Sequence, residues 1–113
     1  MSHEPGASPL TPAVFHILLA LAPGERHGYA IMKTVREDSG GAVTMGNGTL
    51  YGSLRRMLAD GLIEAAGERV DDDATRRKYY RLTSRGRAML HAEMERYIAT
   101  TAVIHRYGLA PTS

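Results

Sequence analysis

The side chains best suited to chemistry lie on one short stretch, where Thr49, Gly52, Arg55 and Arg56 share a helical face flanked by Tyr51 and Ser53. The face is small, hydroxylated and cationic, and no carboxylate appears on it before Asp60. Asn47, in the turn just ahead, adds a side-chain amide. Such residue types suit a surface pressed against a polyanion. Small residues permit close approach, hydroxyls donate to phosphate oxygens, and arginine reaches either phosphate or the guanine edge in a major groove. On an isolated helix the same face would pass for ordinary solvated surface, so the surrounding elements decide its meaning.

The face requires a helix over residues 48 to 60, and the apolar pattern supplies one. Leu50, Leu54, Met57 and Leu58 recur at i, i+4, i+7 and i+8. Gly46 or Asn47 can cap its start, and Gly61 stops it. Upstream, Thr11-Pro12 is a helix start, with threonine as cap and proline at the first position. Val14, Ile17, Leu18 and Leu21 follow at helical spacing, widened by Phe15 and Leu19, until Pro23-Gly24. A second helix runs from about His27 to Asp38, with Tyr29, Ile31, Met32 and Val35 as its expected buried set and Gly40-Gly41 as its end. Two helices joined by a Gly-bearing turn, the second with a cationic outer face, make a helix-turn-helix. The turn is several residues longer than in the simplest versions.

Leu62 to Ala66 reads as a strand, Asp71-Asp72-Asp73 as a polar tip, and Arg76 to Leu82 as a returning strand favoured by Tyr79 and Tyr80. A hairpin in this place is a wing. Its return strand carries Arg76, Arg77 and Lys78 where a wing meets the phosphate backbone. Thr83 then caps a last helix to about Tyr107, ~36 Å long at ~1.5 Å per residue. Leu90, Met94, Tyr97, Thr101 and Ile104, with Ile98 alongside, form a heptad-like seam. That seam predicts a homodimer, besides some folding back on helix 1. The expected fold is mainly α with a small β-hairpin (α+β), a winged helix-turn-helix plus a long C-terminal dimerisation helix. Its parts are an arm at 1–9, a DNA-binding domain at 10–82, the dimerisation helix at 83–107 and a tail at 108–113.

The 113 residues suffice for one modest core. Net charge is only +2, yet nine of the fourteen basic residues lie between Arg55 and Arg87, against six acidic ones there. A localised basic surface suits a polyanionic partner better than the net charge implies. The chain has no cysteine, which excludes disulfides and thiolate chemistry. No apolar run reaches membrane-spanning length and no signal pattern opens the chain, so a soluble cytoplasmic protein is expected.

Four segments carry a family likeness: His27-Gly28-Tyr29-Ala30-Ile31, Gly48-Thr49-Leu50-Tyr51, Leu58 to Ile63, and Arg76 to Arg87. Each alone is weak; in this order and spacing they are strong. Over roughly residues 10 to 107 the chain resembles the PadR family of bacterial transcriptional regulators, in its short form with a single C-terminal helix. The resemblance implies a winged-helix homodimer that represses by binding operator DNA. It further implies that flat aromatic compounds bind between the C-terminal helices of short-form members, for which Phe15, Met89, Met94 and Tyr97 are the candidates here. A well-packed dimer core is the equal alternative for those four. Gly52 departs from the family, many members of which have proline at that position.

The five histidines form no close ligand pair, so no metal site is expected. No nucleophile–base pair, phosphate-cradling loop or paired carboxylates can be placed in a pocket. The expectation is a DNA-binding regulator, not an enzyme and without a cofactor. The competing reading, from another class, is a winged helix that binds protein and not DNA.

Overall fold

Thr11 and Pro12 begin the first helix as their types require. The computed structural model describes residues 9–109, and in it Thr11 Oγ1 accepts from the Val14 amide at 3.2 Å to open α1, Pro12–Leu21. Phe15, Ile17, Leu18, Ala20 and Leu21 of this helix are buried, the wide arc expected of a helix covered on several sides. After a turn at Pro23-Gly24 come β1, Arg26–His27, and α2, Gly28–Asp38. The His27 ring caps α2, its Nδ1 accepting from the Ala30 amide at 3.2 Å. Gly40 and Gly41, both at positive φ, then turn the chain toward α3, Asn47–Ala59.

α3 opens on Gly46 as N-cap and buries Leu50, Ser53, Leu54 and Met57. It closes as its sequence dictates. Gly61 adopts φ +74°, the Gly61 amide donates to the Leu58 carbonyl, and the Leu62 amide donates to the Met57 carbonyl at 2.9 Å. That reciprocal pair is the Schellman closure, completed by packing of Leu62 with Met57 in the core.

The wing is longer than the sequence suggested, with β2 at Ile63–Val70 and β3 at Arg76–Leu82. The two strands pair antiparallel, with one extra residue on β2 between Ala65 and Glu68, where Gly67 has φ +91°. β1 adds Arg26 opposite Tyr80 and His27 opposite Tyr79, so the hairpin becomes a three-stranded sheet in the order β1-β3-β2. Tyr80 and Leu82 of β3 enter the core, where each fully buried large apolar side chain contributes about 1.5–3 kcal/mol.

α4, Ser84–Arg106, starts on Thr83, whose Oγ1 accepts from the Gly86 amide at 3.0 Å and donates to the Gly61 carbonyl. One hydroxyl thereby ties the end of α3 to the start of α4. Leu90 of α4 is buried in the core of its own chain, so it roots the helix on the domain and does not belong to a free seam. Gly108 and Leu109, expected as the start of the tail, instead close α4, their amides donating to the carbonyls of His105 and Ile104. The arm at 1–9, except Pro9, and the tail from residue 110 lie outside the described residues. No helix among the described residues is long and apolar enough to cross a membrane.

Candidate nucleic-acid interface

α3 presents two unlike faces because its apolar stripe is pinned from beneath. Asn47, Thr49, Tyr51, Arg55 and Arg56 are exposed and Gly52 is half-buried. A Cβ built on Gly52 would meet nothing within 4 Å, so this glycine opens onto space. Ser53 is different. It is only 3% exposed, three residues after Leu50 and four before Met57, which places it on the buried stripe; it is removed from the interface.

Neither Arg55 nor Arg56 forms an ion pair among the described residues, whereas Arg69, Arg76, Arg77, Arg81 and Arg96 all do. Arg77 differs from expectation here. Its Nε lies 2.5 Å from Asp71 Oδ2 at the base of the hairpin tip, and its side chain is three-quarters covered. It braces the wing, so its charge is largely engaged within the chain. Arg76 keeps only a loose, exposed pair with Glu68 at 3.7 Å, and Lys78 has no ion-pair partner among the described residues. Arg69 and Arg81 both reach Glu25, in the turn before β1, and Arg69 holds its carboxyl below the usual range.

Tyr29, expected in the core, is 54% exposed. Two residues turn a helix by about 200°, so Tyr29 stands opposite Ile31, and the spacing alone could have placed it outside. It stands near Tyr51, which lies across Gly28: a Cβ on Gly28 would fall 2.7 Å from the Tyr51 hydroxyl oxygen. Tyr29, Tyr51, Arg76, Arg77 and Lys78, with the start of α2, surround a small cleft of about 90 Å³. Of the α3 residues it is Tyr51 that the structure brings beside the wing, whereas Arg56 borders a different cleft with Val14 and Met89.

The family of this fold follows from comparison with known proteins. The PadR-like family of transcriptional regulators matches residues 17–92. The chain belongs to that family. A PadR family transcription regulator from Clostridium difficile is 28% identical, with TM-score 0.72 over 86% of this chain and 98% of that one. Bacillus subtilis PadR in complex with operator DNA shares the fold at 22% identity, with TM-score 0.64 over 81% of this chain and 58% of that one. An uncharacterised 37.1 kDa transposon protein of Streptomyces fradiae is 38% identical over 68% of this chain. The chain spans only 20% of that relative's length. A family of transcriptional regulators, not of enzymes, accounts for the absence of any catalytic constellation in the sequence.

The residues named for an aromatic effector are divided by the structure. Phe15 is buried and stacks on Tyr97, centroids 4.6 Å apart, while Met89 and Met94 pack against the core margin. Tyr97, Leu10, Glu93 and Arg96 line a cleft of about 550 Å³; Met89 lines a separate one of about 250 Å³ beside Ser53 and Met57. Glu93 was not anticipated from sequence. It is 3% exposed, its Oε2 accepts from the Leu10 amide at 2.9 Å, and its Oε1 lies 3.2 Å from Arg96 Nε, out of line for a hydrogen bond. Its position on α4, one residue before Met94, fits the buried stripe; only its charge disguised it.

The His27 cap makes a pH prediction. Burial first, then the Arg77 charge, lowers its pKa from the ordinary histidine value of 6.5. Only the unprotonated Nδ1 can accept the Ala30 amide. The folded chain therefore binds fewer protons than the unfolded one, and stability falls as pH drops through about 6.5. Urea melts near pH 7.5 and near pH 5.5 should show a smaller loss for His27→Asn, which keeps a cap acceptor without titrating. An equal loss in both proteins would remove His27 as the source.

Proposed function

We propose that the chain is a homodimeric repressor that binds operator DNA as an inverted repeat and is released by a small planar effector. The observation that carries DNA binding is the pair Arg55 and Arg56, exposed on α3 without an ion-pair partner among the described residues, on a helix whose Tyr51 borders the wing's Lys78. An unpaired cationic face beside a second cationic strand suits a phosphate backbone. Asn47, Thr49, Tyr51, Gly52, Arg76 and Lys78 complete the contact surface, and Arg77 supports it from within the wing. The effector would stack on Tyr97 in the larger cleft, near the Glu93 carboxylate. A cytoplasmic location accompanies this role.

Fluorescence anisotropy with a fragment from upstream of the gene tests the proposal. Salt-sensitive binding that survives competitor DNA is the expected result. No binding at low salt would leave the winged helix as a protein-binding module.

The support for homodimerisation lies on α4, where Tyr97 is 49% and Ile98 67% exposed and Ile104 half-buried in a single chain. Apolar side chains left exposed at this spacing on one helix face suit an interface, and Met94 and Thr101 continue the same seam. Ile98→Asp is exposed in the protomer and should spare the fold while placing two like charges at the two-fold axis. Sedimentation at micromolar concentration should then show monomer. A variant that still sediments as a full dimer moves the interface off this seam.

A further inference from the structure

The cleft between the start of α2, Tyr51 and the wing has room for about three waters, or one tetrahedral anion, at 90 Å³. No carboxylate lines it. Its two phenols are large aromatic side chains left about half exposed on a domain that buries Phe15 and Tyr80. Arg77, on its wall, is engaged by Asp71, which leaves the Lys78 ammonium as its unpaired cation among the described residues, with Arg76 at the rim. Three segments meet here, and the meeting is enforced: Tyr51 rests on Gly28, where any side chain would displace it.

Resting on the operator-binding reading above, we propose that this cleft seats a single backbone phosphate of the bound duplex. Tyr29 and Tyr51 donate their hydroxyls to it and Lys78 supplies the opposing charge. Tyr29 thereby becomes a DNA-contacting residue, although it precedes the recognition helix by some twenty positions. The consequence is geometric. One phosphate touched by α2, α3 and β3 together fixes the angle at which α3 enters the groove, because phosphate contacts set register while base contacts set sequence.

The test uses the full-length chain and a footprinted upstream duplex in which single phosphates are replaced, one at a time, by neutral methylphosphonate. Tyr29→Phe removes only an oxygen and should weaken binding roughly three- to tenfold per half-site, leaving the salt dependence unchanged. Lys78→Ala should weaken binding and lower the salt slope by about one per protomer. At one phosphate in each half-site, methylphosphonate should weaken the wild type and cost each variant clearly less than it costs the wild type, least of all Lys78→Ala. Losses that add at every position, or a Tyr29→Phe protein that binds like wild type, overturn the seat while leaving DNA binding standing. If the wild type binds no duplex at all, both readings fall together.

Discussion

Gly86→Ala should cost the chain about 3 kcal/mol or more of stability, a large part of the roughly 5–15 kcal/mol available to a domain. A Cβ at Gly86 would sit 1.9 Å from the Leu62 carbonyl oxygen and 2.9 Å from its carbon. The neighbour is backbone and is held from both ends. The Leu62 amide donates to Met57 at 2.9 Å, and the Leu62 carbonyl accepts from Thr83 at 3.1 Å. Neither side can yield without opening the end of α3 or the start of α4. Gly52→Ala is the opposed case, since it faces open space in the same domain. There the usual helix preference for alanine acts alone and should stabilise by about 0.5–1 kcal/mol. Urea denaturation of the two variants should therefore shift the midpoint in opposite directions. A Gly86→Ala protein within about 0.5 kcal/mol of wild type would mean that α4 does not start against Leu62. If Gly52→Ala gains stability yet loses operator affinity, the α3 backbone approaches the duplex closely at that point.

Elements governed by local chemistry were legible in the sequence, and those governed by tertiary partners were not. Thr11-Pro12, Gly61 and Thr83 mark ends that the structure uses in the expected way, because caps satisfy backbone groups only a few residues distant. The return strand was found from Arg76 to Leu82 because it alternates. β1 was missed because Arg26 and His27 are two polar residues whose strand character exists only through pairing with Tyr79 and Tyr80. Ser53 and Glu93 misled by polarity: both follow the apolar period, and each lies in the interior. Tyr29 misled in the other direction, an apolar ring at an outward position. Arg77 shows the limit for the candidate site. A run of three cations gives no sign of which one a carboxylate at the hairpin tip will claim, and Asp71 lies six residues away across a turn whose geometry depends on Ala74 at φ +66°.

Replacing both Arg55 and Arg56 with alanine should abolish specific DNA binding and leave the fold intact, and the two single variants should fail in different ways. The rotation of α3 about its axis decides which is which. Leu50, Ser53, Leu54 and Met57 face inward, and Tyr51 lies against Gly28 on the flank toward the wing. At about 100° per residue, Arg55 lies within roughly 30° of the outward direction, beside Gly52, and Arg56 lies about 70° away from it. Arg56 also borders the cleft shared with Val14 and Met89, on the flank toward α1 and α4. The expected outcome is therefore that Arg55 reaches a base edge and Arg56 a phosphate. Arg55→Ala should lose about 1–3 kcal/mol per half-site and relax preference at one base pair in each. Arg56→Ala should weaken all sequences alike and lower the salt slope by about one per protomer. With two copies of α3 related by a two-fold axis, the affected base pairs should be symmetric and about 10 bp, or a multiple, apart. Competition binding with single-base operator variants reads both effects, with circular dichroism as the check on folding. If Arg56→Ala changes the preferred base and Arg55→Ala does not, α3 enters the groove on its α1 side and the assignment reverses. If the folded double variant binds its operator as wild type does, residues 48 to 60 do not read DNA.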